Sequence, residues 1–161
     1  MNQETTVRVL SHVDAFAGLA DPDLAGFAGV CESLSFQRDE ILIKEGQSAA
    51  AFHILIEGRL KVVLQGANSS EEEHRATDVQ LNQLKPGDYF GEYSLIDGQP
   101  ASASIIVVEP GALLRISKHD FEEYLSTNDR IARTIYLNLL KLLVSRLRER
   151  EDEYDQVMIV G

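Results

Sequence analysis

From Leu34 to Ser117 apolar and polar residues alternate in short runs, and glycine turns separate most of them. Alternation of period two sends successive side chains to opposite faces of a strand. Glycine supplies the positive-φ conformations that tight turns need. The runs Glu40–Lys44, Phe52–Glu57, Arg59–Leu64, Val79–Leu84, Ala103–Val108 and Leu113–Ser117 are therefore expected to be strands. Glu45-Gly46, Glu57-Gly58, Pro86-Gly87 and Pro110-Gly111 are the expected turns. Strands spaced so regularly, with helical patterns at both ends, predict a mainly β chain folded as a compact antiparallel barrel or sandwich.

The flanks carry the other period. Val7–Val30 spaces its apolar residues over two short helices, and Asp21-Pro22 reads as an N-cap with proline at the first helical position. Ser117-Lys118-His119-Asp120 resembles a capping box with Asp in place of the usual Glu. A short helix to Leu125 follows, then a long one from Asp129 to about Tyr154. The long helix has two apolar rows: Ile131, Ile135, Leu139 and Leu142 in one, Tyr136, Leu140, Leu143, Leu147, Tyr154 and Val157 in the other. One row can pack on the barrel, and the other then needs a second surface. The same helix of another copy is the expected partner, giving a homodimer through Asp129–Tyr154. The alternative is an ordinary amphipathic helix with a broad core face.

Composition narrows the function. A chain of 161 residues is expected to form one domain over 1–161, with N-terminal helices at 7–33, a barrel at 34–117 and C-terminal helices at 118–155. Net charge is −11, which argues against direct DNA binding, since that needs a basic surface. The single Cys31 excludes an internal disulfide and a four-thiolate metal site, and its apolar neighbours suit a buried structural thiol. The segment Met1–His12 has no run suited to a signal peptide and no later stretch suits a membrane span, so a cytoplasmic location is expected. His12, His53, His74 and His119 are scattered, without the spacing of a metal-dependent small-barrel enzyme. No nucleophile–base arrangement emerges either, so catalysis is not expected. The polar segment Gln65–Asp78, with Glu71, Glu72, Glu73 and His74, reads as a solvated hairpin loop rather than a cation site.

The segment Lys85–Ser104, KPGDYFGEYSLIDGQPASAS, is where chemistry concentrates. Gly91 lets the main chain approach a ligand closely, and the short helical segment after it offers unpaired N–H groups. Glu92, beside those donors, is a carboxylate suited to hydroxyls rather than to a phosphate. An anion cradle next to a hydroxyl acceptor describes a sugar-phosphate ligand.

These residues resemble the phosphate-binding cassette of the cyclic-nucleotide-binding domain family. Phe90-Gly91-Glu92-Tyr93-Ser94-Leu95 matches the first half of its pattern without a gap, and Pro100, Ser102, Ala103 and Ser104 match the second. The run IKEGQSAAAFHILIEGRLKVV is similar to the family's early strands, and the likeness extends over about 10–155. The resemblance implies a jelly-roll barrel of the cyclic-nucleotide-binding type with a long C-terminal helix. It implies a ligand site at Phe90, Gly91, Glu92, Tyr93, Ser94, Pro100, Ala101, Ser102, Ala103 and Ser104, within a cassette spanning 86–104. Glu92 would hold the ribose 2′-hydroxyl, with the Gly91–Glu92 backbone and Ser102 near the cyclic phosphate. The implied ligand is cyclic AMP or cyclic GMP, with no further cofactor and no metal.

This sequence departs from the family pattern at one position. Where the family carries arginine on the phosphate, it has Ala101. A charge-assisted hydrogen bond contributes about 1.5–3 kcal/mol, so affinity is expected to fall by roughly one to two orders of magnitude. Arg115 and Lys85 are the basic residues nearest in the chain to take its place. In the catabolite-activator branch of the family the long helix both dimerises and closes over the ligand, and the chain continues into a helix-turn-helix. Here it stops at Gly161. The expectation is thus a regulatory sensor without that DNA-binding unit, acting through dimer geometry or an effector protein. The alternative that Ala101 supports is a degenerate, non-binding domain used as a dimerisation or interaction scaffold.

Overall fold

Two long strands organise the molecule because each buries apolar side chains on both of its faces. The computed structural model describes residues 1–48, 50–64, 66 and 78–160, the side chains of 149–150 and 152–160 excepted. In chain order its elements are α1 (Gln3–Leu10), a 3-10 turn (Asp14–Phe16), α2 (Asp21–Val30), β1 (Glu32–Phe36), β2 (Ile41–Ile43) and β3 (Ala51–Leu64). β4 (Val79–Leu84), β5 (Tyr89–Phe90), α3 (Glu92–Asp97), β6 (Ser104–Ser117), α4 (Lys118–Ser126) and α5 (Asp129–Val160) follow.

β3 and β6 pair antiparallel from Ala51 opposite Ser117 to Val63 opposite Ser104. β1 and β2 flank opposite halves of β6, while β5 and β4 flank opposite halves of β3. The resulting six-stranded antiparallel sheet is open rather than closed, with the jelly-roll-like character expected from the sequence. Its register sorts the core into two parts. Phe52 opposite Ile116 and Ile54 opposite Leu114 face the helices, where they meet Leu10, Phe16, Phe27, Phe121, Ile131, Ile135 and Leu139. Leu55 opposite Leu113 faces the other way, toward Phe36, Ile43, Leu60, Ile105 and Val107. Aromatic rings knit the helical side: Phe16 lies 5.2 Å from Phe27 and 6.0 Å from Phe52, and Phe52 lies 5.1 Å from Tyr89.

The expected turns at Glu57-Gly58 and Pro110-Gly111 are corrected. Each pair of short strands is one continuous strand, and the ladder shifts register there instead of ending. Glu57 opposes Ala112 while Arg59 opposes Glu109, so β6 has one residue more than β3 in the interval. That is a bulge, and it accommodates Pro110, which has no N–H to give a ladder. The backbones come close enough that a Cβ on Gly111 would collide with the Glu57 carbonyl oxygen, and one on Gly58 would lie 2.7 Å from that of Glu109. Strands β1 and β5 were not legible beforehand. β1 buries only Phe36, and β5 is two residues long.

The helices also need small corrections. α1 begins at Gln3, capped by the Asn2 side chain, rather than at Val7. Ala20, not Asp21, is the N-cap of α2, and its amide donates to Asp23 Oδ2 at 3.2 Å. Ser117 caps α4 as expected, accepting from the Asp120 amide at 3.1 Å. Asp120 accepts from the Ser117 hydroxyl, not from its backbone N–H as a full capping box would require. α5 runs to Val160, beyond the expected Tyr154. At its root it is clipped to the N-terminal helices: Arg130 pairs with Asp23 at 2.6 Å, and Asn138 Nδ2 donates to the carbonyls of Ala15 and Ala17. Ile131, Ile135 and Leu139 are buried as expected, and Leu142 packs beside them. The outer row runs through Tyr136, Leu137, Leu140, Val144 and Leu147, because Leu143 is half-buried. Tyr154 and Val157 lie outside the described side chains. Gly66 and Asp78 are joined by a 2.9 Å hydrogen bond, while Glu71, Glu72, Glu73 and His74 lie outside the described residues.

Two glycines, one at the crossing of β3 and β6 and one in α2, should respond in opposite ways. Gly111→Ala should cost roughly 1–3 kcal/mol in urea unfolding through steric overlap. Gly29→Ala, in α2 with no heavy atom within 4 Å of a new Cβ, should stabilise by about 0.5–1 kcal/mol.

Candidate functional site

A turn anchored to β3 starts the site. Gly87 N donates to the Leu55 carbonyl and Leu55 N to that of Asp88, both at 2.9 Å, and the Asp88 carboxylate accepts from Lys85 N. β5 then lays Tyr89 and Phe90 against β3. Gly91 takes φ +85°, and a Cβ there would strike the Ala51 carbonyl oxygen. Only glycine permits this turn and this approach together. α3 follows at once, its first hydrogen bond running from Leu95 N to the Gly91 carbonyl. It ends at Gly98, where Gln99 N is held by Asp97 Oδ1 at 2.8 Å. The returning chain is pinned to the β2–β3 connection by Ala101 N on the Gln47 carbonyl and Gly46 N on the Ala101 carbonyl.

Between these pieces lies a cleft of about 380 Å³. Phe90, Gly91, Glu92, Tyr93, Ser94, Ala101, Ser102 and Ala103 line it. Ile43, Val62, Leu84 and Ile105 give it an apolar floor, and Leu81 and Asn82 reach it from β4. Two expected residues are not at the cleft. Pro100 lies exposed beside it. Ser104 is wholly buried, and its hydroxyl accepts from the Glu45 amide at 3.0 Å.

Glu92 is the chemical centre of the cleft. It is only 4% exposed, and a buried carboxylate needs a compensating partner. That partner is Arg146 of α5, whose Nη1 donates to Glu92 Oε1. The guanidinium carbon also sits 5.8 Å from the centre of the Tyr89 ring. Burial works to lower the Arg146 pKa, but the Glu92 charge and hydrogen bonds with Tyr93 and Glu92 outweigh it, so the net shift is upward.

Sequence reasoning missed Arg146. It sought a cation near the cassette, yet Arg115 pairs with Glu32 at 3.4 Å, and neither Arg115 nor Lys85 lines the cleft. The contact spans 54 positions in the chain. A signal was nevertheless present: Arg146 extends the inner row Ile131, Ile135, Leu139, Leu142 by one more helical step of four.

The chain resembles known proteins in sequence and in fold. Residues 33–128 match the model of the cyclic nucleotide-binding domain. A cAMP-dependent protein kinase regulatory subunit of Dictyostelium discoideum is 24% identical over 127 residues, 79% of this chain and 36% of that protein. The chain thus spans about a third or less of the curated relatives it matches. Among solved structures, a cyclic nucleotide-binding domain from Methylobacillus flagellatus superposes with a TM-score of 0.77 at 21% identity, covering 94% of this chain and 81% of that one. The Thermus thermophilus catabolite activator protein does so with a TM-score of 0.74 at 25% identity, covering 89% and 62%.

The remaining sequence candidates fall elsewhere. Cys31 is half-buried at the end of α2, and burial pushes its thiol up to about 12. His12 is bonded to the Arg8 carbonyl at 2.7 Å, and His119 is exposed beside Glu123 on α4. His53 lies beneath the cassette. Its ring stacks on Phe90 at 4.8 Å and 7°, close to Gly91, and its Nδ1 is buried without a hydrogen-bond partner among the described residues.

Burial, with the Arg115 charge second, pushes the His53 pKa down from 6.5 to about 4. The unfolded imidazole therefore binds its proton at higher pH than the folded one. Stability should be unaffected above pH 6.5 and should decline as pH falls toward 4, by about 3 kcal/mol in full. His53→Gln removes this titration, and denaturant unfolding from pH 7 to pH 5 should show a flatter profile for the variant than for the wild type.

Proposed function

We propose that this chain, which belongs to the cyclic nucleotide-binding domain family, is a sensor whose ligand closes α5 onto the cassette. The ligand class follows from the cleft. Glu92 would accept from the ribose 2′-hydroxyl, and the backbone of Gly91 and Glu92, with Ser102, would face the cyclic phosphate. Tyr89, Phe90 and the apolar floor leave room for the base. One observation carries the reading: a buried carboxylate stands in a cleft and not in the core, with a helix-borne arginine as its partner. Ligand at Glu92 would share that carboxylate with Arg146, and so shift the population of α5 positions toward the docked one. The function is regulatory, with no reaction assigned to the cleft, and the ligand is cyclic AMP or cyclic GMP. No described helix is long and apolar enough to cross a membrane. A cytoplasmic location belongs to the same proposal.

The same helix suits a homodimer. Leu137, Leu140, Val144 and Leu147 repeat at three and four residues, and Leu140 and Leu147 are 57% and 58% exposed. That repeat has the spacing of a coiled-coil seam, and a second copy of the helix would cover it. Ligand-driven movement of α5 would then alter dimer geometry and pass to an effector protein.

Calorimetric titration with cyclic AMP and cyclic GMP, reaching millimolar dissociation constants, tests the ligand assignment. Saturable binding is expected, lost or weakened ten-fold or more in Glu92→Ala. Ala101→Arg should raise affinity about ten-fold. Silence with both nucleotides in wild type and Ala101→Arg would favour the scaffold reading that Ala101 supports. For the dimer, Leu140→Asp is expected to convert the sedimenting species from dimer to monomer while preserving the fold; an unchanged mass would refute the seam.

A further inference from the structure

The cassette lacks its own cation, yet the cleft contains one. Among the described residues lining it, Arg146 is the single basic side chain, and it faces the same space as Gly91, Ala101 and Ser102. We propose that Arg146, carried by α5, is the cation that holds the cyclic phosphate in place of the arginine absent at Ala101. This rests on the reading of the cleft as a cyclic-nucleotide site.

Three physical arguments support it. The first is charge balance. Glu92 is negative and buried, so a phosphodiester a few ångströms away would be repelled unless a positive group lay between them. Arg146 already touches Glu92 and is placed to serve both anions. The second is donor count. A guanidinium offers five N–H groups in a planar fork, and the Glu92 bond uses one edge. The Tyr89 face and Tyr93 hold the guanidinium in place, with N–H groups to spare. The third is access. The Arg146 side chain is 38% exposed at the cleft, so an incoming anion reaches it without displacing core residues.

The consequence concerns regulation. A cation fixed in the cassette would bind phosphate wherever α5 stood. A cation on α5 completes the anion site only when that helix is docked, so ligand affinity and helix position become one equilibrium. By linkage, an interaction that favours docked α5 tightens ligand binding by the factor by which ligand strengthens that interaction.

The test compares wild type, Arg146→Gln, Arg146→Lys, Ala101→Arg and the Ala101→Arg/Arg146→Gln double variant as full chains, each checked by thermal melting. Each is titrated with cyclic AMP and with adenosine, which keeps the ribose hydroxyl but has no phosphate, by calorimetry or NMR. Gln is chosen because its amide still donates to Glu92. Arg146→Gln should weaken cyclic AMP ten-fold or more while moving adenosine less than about two-fold, and the double variant should recover the loss. Arg146→Lys should fall between, as a point charge without the fork. Equal losses for both ligands would make Arg146 a packing residue, and unchanged or tighter cyclic AMP binding would make it a plug; either overturns the proposal while leaving the site reading intact. Failure of wild type and Ala101→Arg to bind any cyclic nucleotide would instead remove the site reading, and this proposal with it.

Discussion

The ladder between β3 and β6 is the interaction on which the remaining structure depends. Its antiparallel register puts Phe52, Ile54, Leu114 and Ile116 under the helices and Leu55 and Leu113 into the sheet interior. Every other strand borrows an edge from one of these two. The bulge at Gly58 and Gly111 lets both strands change course without breaking, so one pair of strands serves both parts of the core. β5 hangs on β3 opposite His53 and Ile54, and with it the whole cassette. Displacing the ladder would therefore displace Gly91 and Glu92 as well.

On this frame the site sets two opposed demands. On the proposed reading Glu92 is buried to discriminate a hydroxyl, yet burial of a lone carboxylate is costly. Arg146 satisfies it from a helix whose root is fixed by Asn138 and Arg130 but whose outer face is apolar and exposed. The root gives α5 a pivot, and the contact about two turns beyond Leu139 gives it a docking point. On the proposed reading, a helix so arranged answers to events in the cleft and at its outer face at once.

How much of this was legible follows from the range of each interaction. Short-range signals served well. The strand Val79–Leu84, the Ser117 cap, the Pro86-Gly87 turn and the inner row of α5 were all readable from local pattern, and the cassette motif pointed to eight of the residues now seen to line one cleft. Signals failed where local chemistry was ambiguous. Gly58 and Pro110-Gly111 look like turns because glycine and proline mark turns and bulges alike, and only the opposing strand decides between them. β1 has too little buried surface to show an alternation, and β5 is too short to show any. Arg146 was invisible as a site residue because its partner lies 54 positions away, although its place in the inner row hinted that it faced the body.

The most direct measurement of the central account is the distance between α5 and the cassette, with and without ligand. Spin labels at Arg148 and Lys85, both exposed, in a Cys31→Ser background, report it without touching the cleft. The account predicts a distribution that shifts or narrows on saturation with cyclic AMP, as α5 settles against the phosphate and Glu92 turns to the ribose. An identical distribution in a demonstrably ligand-saturated sample would contradict it, leaving α5 a fixed support rather than the moving part.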